Sequence, residues 1–248
     1  MYKHLILGGS EGIGFSYAAL QAKKGHSLKL VARCEDKLEA ARLQLLDCGA
    51  SQVEIVCGDL TNPGFLSSFL SEQCGFDTIL AGGPSPKCIT LSKALSSSED
   101  EQLIVHNYRA AISYPLRIID WALNLGLAPW GRLYILGSSE SKKAMLTSPF
   151  FPSASFRRVI DELVEEYFEL FKENKKNVQV WRPDVVVTPL SIRYACYKAS
   201  KEVSASEAKQ VLEGLFPHST VLTSDEYIQK ELIRGGEWNI TKKGIGSG

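Results

Sequence analysis

The stretch LILGGSEGIGF, Leu5–Phe15, decides the fold predicted for this chain. A short apolar run breaks at Gly8, and a segment of helical composition follows Gly14. Glycines between a strand and a helix let the chain turn sharply and let a pyrophosphate approach the backbone, while the helix N-terminus offers N–H groups and a positive dipole end. The stretch therefore predicts a dinucleotide-binding turn. The alternative is a tight strand–helix turn that holds no ligand.

Strand-like and helix-like segments alternate along most of the chain. Strands are predicted over residues 5–7, 27–32, 53–57, 78–81, 131–136 and 178–181. Helices are predicted over residues 15–24, 35–47, 63–73, 99–125 with a cap at Ser96–Ser98 and a bend at Pro115, 151–172, 206–215 and 224–233. This alternation is typical of a parallel sheet covered on both faces. The predicted fold class is α/β, a single-domain Rossmann-type doubly wound parallel sheet over residues 1–248, with a frayed tail at 241–248.

Composition narrows the class of function. Lys plus Arg and Asp plus Glu both number 28, so the chain lacks the positive charge expected of a protein that works mainly on nucleic acid. The six cysteines form no C-x-x-C pair and the four histidines are scattered, so no metal site is predicted. No basic leader and no apolar run of about 18 residues is present, which predicts a cytoplasmic protein without membrane contact.

Several landmarks appear in an order that resembles the short-chain dehydrogenase/reductase family. Leu7–Gly14 matches the family's T-G-x-x-x-G-I-G turn in all but its first residue. Asp59 follows the third strand, Asn107 lies in the long helix, and Ser138 follows the fifth strand, as in the family. Pro183–Thr188 corresponds to P-G-x-x-x-T, with an aspartate in place of the glycine. The resemblance implies the fold, a nicotinamide dinucleotide cofactor and a small-molecule substrate.

The resemblance also assigns roles to individual residues. Asp59 holds the adenine, Ser138 bonds the substrate oxygen, and Thr188 bonds the nicotinamide carboxamide. Residues 189–220 form the family's substrate flap. The expected cofactor-binding residues are Gly8, Ser10, Glu11, Gly12, Ile13, Gly14, Arg33, Asp59, Leu60, Gly82, Gly83, Arg157 and Thr188.

The end of the second strand indicates which dinucleotide is bound. A carboxylate there bonds the ribose 2′-hydroxyl of NAD, whereas an arginine suits the 2′-phosphate of NADP. The chain has Ala32 and Arg33 at this position, so NADP(H) is favoured over NAD(H). Glu11 argues mildly against NADP(H), because relatives that prefer it often carry a basic residue there. Arg33 has an alternative role as a solvated residue at the start of the next helix.

The family's acid/base pair, Y-x-x-x-K, is missing. In that pair the lysine holds the nicotinamide ribose and lowers the tyrosine's pKa. One alignment places Phe151 and Ser155 at the two positions, but it then turns Arg158 and Asp161 toward the core. A separate Y-x-x-x-K at Tyr194–Lys198 lies in the flap region and is a poor candidate.

A second alignment places Ser153 and Arg157 at these positions. The inward-facing residues then form an apolar stripe, Ile160, Leu163, Tyr167 and Phe171. Ser153 also lies 30 residues before Pro183, which is the family's usual spacing. This alignment is preferred.

A G-G-P turn follows the fourth strand, at Gly82–Pro84, where the family has N-A-G. A divergent branch of the family resembles this chain in having both that turn and S-x-x-x-R in place of Y-x-x-x-K. The expected function is an NADP(H)-dependent oxidoreductase acting on a carbonyl or alcohol. The expected catalytic residues are Ser138, Arg157, Asn107 and Ser153.

Two other functions stay open at this point. One is a dinucleotide-binding sensor or partner subunit with little or no redox activity, and the other is a non-redox lyase or isomerase on the same scaffold. The resemblance further implies a homodimer or homotetramer packed through the long helix, Glu99–Leu125, and the Ser153–Lys172 helix.

Overall fold

The fold comes from a computed structural model of the protein. It describes residues 1–84, 98–137, 151–183, 185–188, 191–192, 195–196, 199–216 and 220–234. For residues 98–100, 151–157, 161, 185, 233 and 234 it describes the backbone alone. The predicted tail at 241–248 lies outside these ranges.

Six parallel strands form the central sheet in the order β3-β2-β1-β4-β5-β6. The strands are β1 (Lys3–Leu7), β2 (Ser27–Ala32), β3 (Gln52–Cys57), β4 (Phe76–Ala81), β5 (Leu127–Leu136) and β6 (Asn177–Trp181). The chain runs outward in one direction from β1 to β3 and in the other from β4 to β6. The order of the strands therefore reverses between β1 and β4, and a doubly wound sheet generally has its ligand-binding crevice at the carboxyl ends of the strands at this point. The predicted doubly wound sheet is confirmed.

Helices cover both faces of the sheet. They are α1 (Gly12–Ala22), α2 (Glu35–Asp47), α3 (Pro63–Ser71), α4 (Ser98–Tyr108), α5 (Tyr114–Trp121), α6 (Phe151–Glu173), α7 (Ala205–Leu215) and α8 (Ser224–Arg234). Successive strand residues point to opposite faces, so Leu5 and Leu7 join the core under α3, α5 and α6, while Ile6 joins the core under α1, α2 and α8. All three side chains are fully buried.

The predicted long helix is interrupted twice by π-helical turns, at Arg109–Ser113 and Ala122–Gly126. At the first of these the Tyr114 N–H bonds to the Arg109 carbonyl, five residues back. Pro115 follows directly and has no N–H to donate, so the helix widens next to it. This π turn lies directly before Pro115, where a bend is predicted, and the bend itself stays a prediction.

Two features of the sheets were not predicted. β5 begins at Leu127 rather than at Gly131, and its register against β4 shifts between Phe76 and Thr78. In addition, β7 (Val185–Val187) and β8 (Val221–Thr223) form a separate two-stranded parallel sheet. Strands of three residues are too short to show periodicity in a sequence.

Within the described ranges, no helix has the length and apolar character needed to cross a membrane. The same part of the chain places no three His, Cys, Asp or Glu side chains where they could jointly hold a metal ion.

Candidate dinucleotide site

The glycine turn has a backbone that only glycine adopts easily. Gly8 has a φ of +86° and Gly12 a φ of +62°, both in the left-handed region. Gly14 lies in the first turn of α1, and a Cβ there would overlap the Gly8 carbonyl oxygen. The absence of a side chain at Gly14 therefore lets α1 pack directly against the turn.

The N-terminus of α1 is open to an anion. Its N-cap residue, Glu11, makes no capping hydrogen bond with its side chain, whereas the Asn62 side chain caps α3 by accepting from two backbone N–H groups. The Glu11 carboxylate instead pairs with Lys37 on α2, at 2.5 Å. First-turn N–H groups without a side-chain cap, at the positive end of the helix dipole, fit a pyrophosphate.

A second glycine turn, at the end of β4, faces the first. The Gly83 N–H donates to the Leu7 carbonyl at 3.1 Å, and Gly83 has a φ of +68°. A Cβ on Gly82 would lie 2.7 Å from the Leu7 oxygen, and one on Gly8 would lie 3.1 Å from the Gly83 oxygen. The two turns therefore approach each other closely at the crevice between β1 and β4, where sheets of this order bind dinucleotides.

Asp59 lies two residues after the carboxyl end of β3. Its Oδ1 accepts hydrogen bonds from the Thr61 N–H and hydroxyl, both at 2.8 Å. Burial alone would raise the pKa of Asp59, but these two bonds, with the positive fields of Arg33 and His106, hold it below its usual value. The carboxylate is therefore ionised and fixed in orientation, and within the described part of the chain its Oδ2 makes no hydrogen bond, so this oxygen can accept one from a ligand.

The other predicted cofactor residues have different exposures. Arg33 is exposed beyond the end of β2, and Ser10 and Ile13 are half-buried in the glycine turn. Leu60 is 5% exposed and packs in the core, so only its backbone can meet a ligand. The Thr188 N–H donates to the Ser191 hydroxyl at 2.7 Å, which fixes the chain just after β7.

The structure describes the four predicted catalytic residues to different extents. Asn107 is fully buried at the end of α4. Ser138 lies outside the described residues, although the Gly137 N–H before it donates to the Trp181 carbonyl at 2.8 Å and so fixes the end of β5 beside β6. Ser153 and Arg157 lie in the first two turns of α6, where the backbone alone is described.

The apolar stripe predicted on α6 is confirmed. Ile160 and Phe171 are buried, and Leu163 and Tyr167 pack partly buried against the same core. Arg158, which the rejected alignment turns inward, is exposed. The correspondence of Ser153 and Arg157 to the family's tyrosine and lysine stays a prediction.

Three residues near the site were not predicted from the sequence. Lys37 pairs with Glu11, and the positive field of His106 contributes to the lowered pKa of Asp59. Tyr114 is buried on α5 with its ring against Gly83. None of the three belongs to a recognisable sequence motif. Only the packing of separate helices and strands therefore shows that they lie near the site.

No protein-family model matches the chain. A stretch of 68 residues is 41% identical to 11-beta-hydroxysteroid dehydrogenase-like 2 of Arabidopsis thaliana. That match covers 27% of this chain and 22% of the relative, so it spans about a fifth of the relative's length.

Solved structures match over nearly the whole chain. L-sorbose reductase from Gluconobacter frateurii, complexed with NADPH and L-sorbose, aligns with a TM-score of 0.76 at 18% identity over 93% of this chain and 88% of the other. A short-chain dehydrogenase from Sphingobium yanoikuyae in complex with NADPH aligns with a TM-score of 0.69 at 22% identity over 94% and 84%. The chain therefore has the fold of the short-chain dehydrogenases/reductases, the family that its sequence motifs resemble.

Proposed function

We propose that the protein is an NADP(H)-dependent oxidoreductase acting on a small carbonyl or alcohol, with an active site that lacks the family's Tyr–Lys pair. One observation carries the proposal: two glycine turns meet at the crevice between β1 and β4, beside an α1 N-terminus with no side-chain cap. The NADPH in the two matched structures supports the choice of ligand.

Residues at the nucleotide end have separate tasks. The turn over Gly8–Gly14 donates backbone N–H groups to the pyrophosphate. Asp59 accepts through Oδ2 from the adenine amino group, because Oδ1 already holds Thr61. Thr188 bonds the carboxamide and so orients the nicotinamide, which supplies hydride at C4 when bound.

Residues at the reacting end are assigned by the family resemblance. Ser138 donates a hydrogen bond to the substrate oxygen, while Asn107 holds a water molecule. Arg157 binds ribose hydroxyls with its planar fork and adds positive potential near the developing alkoxide. Ser153 cannot replace a tyrosine, because the pKa of an aliphatic hydroxyl lies far above the phenol's value of about 10.

The Arg33→Ala variant tests the preference for NADP(H). Arg33 is exposed at the end of β2, where it can reach a 2′-phosphate. We expect its loss to raise the Kd for NADPH by about tenfold or more, since charged hydrogen bonds contribute about 1.5–3 kcal/mol, and to leave the Kd for NADH unchanged. Fluorescence titration with both nucleotides measures this. Equal losses for NADPH and NADH would contradict the assignment.

The companion variant Glu11→Gln should strengthen NADPH binding, the opposite of the effect expected for Arg33→Ala. It releases Lys37 from its 2.5 Å ion pair and leaves that ammonium available to the 2′-phosphate. Both side chains are partly exposed, so we expect the Kd for NADPH to fall by only about two- to fivefold, which is the effect of an exposed pair.

Turnover is tested with NADPH and a panel of carbonyl compounds that includes ketoses, β-keto esters and α-diketones. We expect NADPH oxidation with at least one of them, and a decrease of about 100-fold or more in kcat for Ser138→Ala, with the Kd for NADPH unchanged. NADPH binding without turnover on any compound would instead favour the dinucleotide-binding sensor or partner subunit. The absent Tyr–Lys pair is the observation that supports this second function.

Assembly and location belong to the same proposal. We place the protein in the cytoplasm as a homodimer or homotetramer joined through α4, α5 and α6. The family resemblance supports this arrangement, and Tyr108 on α4 and Val159 on α6 are 49% and 41% exposed. Cysteines in the described ranges are free thiols, as expected in a reducing compartment.

A further inference from the structure

A small cavity lies beneath the carboxyl ends of β4 and β5. Gly83, Tyr114, Leu136 and Ile160 contribute to its walls, and it has room for about one water molecule. Leu136 precedes Ser138 by two residues, and Ile160 lies one helical turn after Arg157. The cavity therefore borders the segments that carry the predicted catalytic residues.

The hydroxyl of Tyr114 is the polar group to be explained in this region. Tyr114 is 2% exposed, and among the described residues its hydroxyl has no hydrogen-bond partner. The Gly83 N–H lies close by but donates to the Leu7 carbonyl at 3.1 Å. A buried hydroxyl left unpaired costs about 1–3 kcal/mol, so a phenylalanine would be the more stable choice at this position.

The backbone before Tyr114 is also unusual. The π turn over Arg109–Ser113 ends where Tyr114 begins, and π turns within helices occur frequently at functional sites. The small residues Ala110 and Ala111 of this turn line the cavity, which leaves room there that larger side chains would fill. On the opposite side, a Cβ on Gly83 would lie 2.8 Å from the Tyr114 ring. The glycine therefore lets the ring approach the end of β4.

We propose that the Tyr114 hydroxyl donates a hydrogen bond to a water molecule in this cavity, and that this water donates the proton taken up by the substrate oxygen. The proposal rests on the proposed reductase function. As hydride adds to the carbonyl carbon, the π electron pair moves to oxygen and forms the new O–H bond with the proton from water. Bulk solvent replaces that proton, so the net reaction consumes one proton.

Tyr114 acts in this scheme as a positioning residue and stays neutral. Burial raises its pKa far above the usual value, so the phenol keeps its proton at any working pH. It orients the water and stabilises negative charge as a donor, in the manner of an oxyanion hole. A water held in this way supplies the proton that the family's tyrosine supplies elsewhere.

The Tyr114→Phe variant tests the proposal, with NADPH and diacetyl, ethyl acetoacetate or L-sorbose as probes. We expect kcat to fall by about 10- to 100-fold, with an altered solvent deuterium isotope effect. The Kd for NADPH should not change, and Tm should stay close to that of the wild type, because the hydroxyl bonds to a water molecule and not to another group of the protein. A crystal structure of the wild type should show a water molecule within about 3.2 Å of the Tyr114 hydroxyl.

Tyr17→Phe is the matched control. Tyr17 is also buried, but it lies in the core on the other face of the sheet and its hydroxyl bonds to His4 at 3.1 Å. This variant should lower Tm and leave kcat unchanged. Full activity in Tyr114→Phe, or no water at the hydroxyl, would overturn the positioning role alone. A wild type that reduces no probe on the wider carbonyl panel would overturn the reductase function and this role together.

Discussion

The Gly14→Ala substitution is expected to weaken NADPH binding by about 100-fold or more, equivalent to at least about 2.7 kcal/mol. A Cβ at Gly14 would overlap the Gly8 carbonyl oxygen, and backbone atoms cannot move aside as a flexible side chain can. The first turn of α1 must therefore move away from the glycine turn, and its N–H groups lose their alignment with the pyrophosphate. Fluorescence titration of the variant with NADPH measures the loss.

Gly214→Ala is the control for this substitution. Gly214 is the last but one residue of helix α7, and a Cβ there meets no atom within 4 Å. The same change should leave NADPH binding unaltered and raise the free energy of unfolding by at most about 0.5 kcal/mol, because alanine favours the helix but this position lies in its last turn. Wild-type affinity in Gly14→Ala would mean that the close approach at Gly8 does not shape a nucleotide site.

The second large effect concerns stability against acid. His4 is 4% exposed; its Nε2 lies 2.9 Å from His26 Nδ1 and its Nδ1 lies 3.1 Å from the Tyr17 hydroxyl. Burial, with the nearby positive charges of His26 and Lys24, lowers the pKa of His4 from 6.5 to about 3. His4 is therefore neutral in the folded protein at neutral pH.

The direction of the pH effect follows from this pKa. Below pH 6.5 the unfolded chain binds a proton at His4 and the folded chain does not, so the free energy of unfolding falls as the pH drops from 6.5 toward 3. The slope reaches about 1.4 kcal/mol per pH unit. His26, whose pKa is also lowered mainly by burial, adds to the loss, although Asp77 opposes its shift.

Urea unfolding of the wild type and His4→Gln at pH 7 and pH 5 measures this contribution. We expect the wild type to lose about 2 kcal/mol more than the variant between the two values. Comparing the two pH dependences removes any change in stability that the substitution itself causes at neutral pH. Equal losses in both proteins would show that His4 does not titrate with a lowered pKa.

Much of the fold could be predicted because parallel strands are recognisable as short apolar runs. Leu5, Ile6 and Leu7 are all buried, as a strand covered on both faces requires. The π turn before Tyr114 could not be predicted, because no local pattern signals where a helix adds a residue to a turn. The strand at Val185–Val187 was not predicted, because its pairing partner, Val221–Thr223, is distant in the chain.

At the predicted nucleotide end, the sequence indicated the backbone geometry but not the side-chain contacts. Gly8 and Gly14 belong to one motif whose spacing reflects backbone geometry, whereas Asp59 is indicated by the family resemblance. The pairing of Glu11 with Lys37 joins two helices, and sequence spacing does not determine which side chains meet there. Tyr114 was missed for the same reason: its importance comes from a cavity formed by several separate elements.

The most direct measurement is a fluorescence titration of the purified protein with NADPH and NADH, because a dinucleotide site at the β1/β4 crevice is the central claim. We expect saturable binding of one NADPH per chain in the micromolar range, with NADH bound more weakly. The absence of saturable binding for both nucleotides at about 1 mM, the upper end of ordinary enzyme affinities, would contradict the site and the functions built on it.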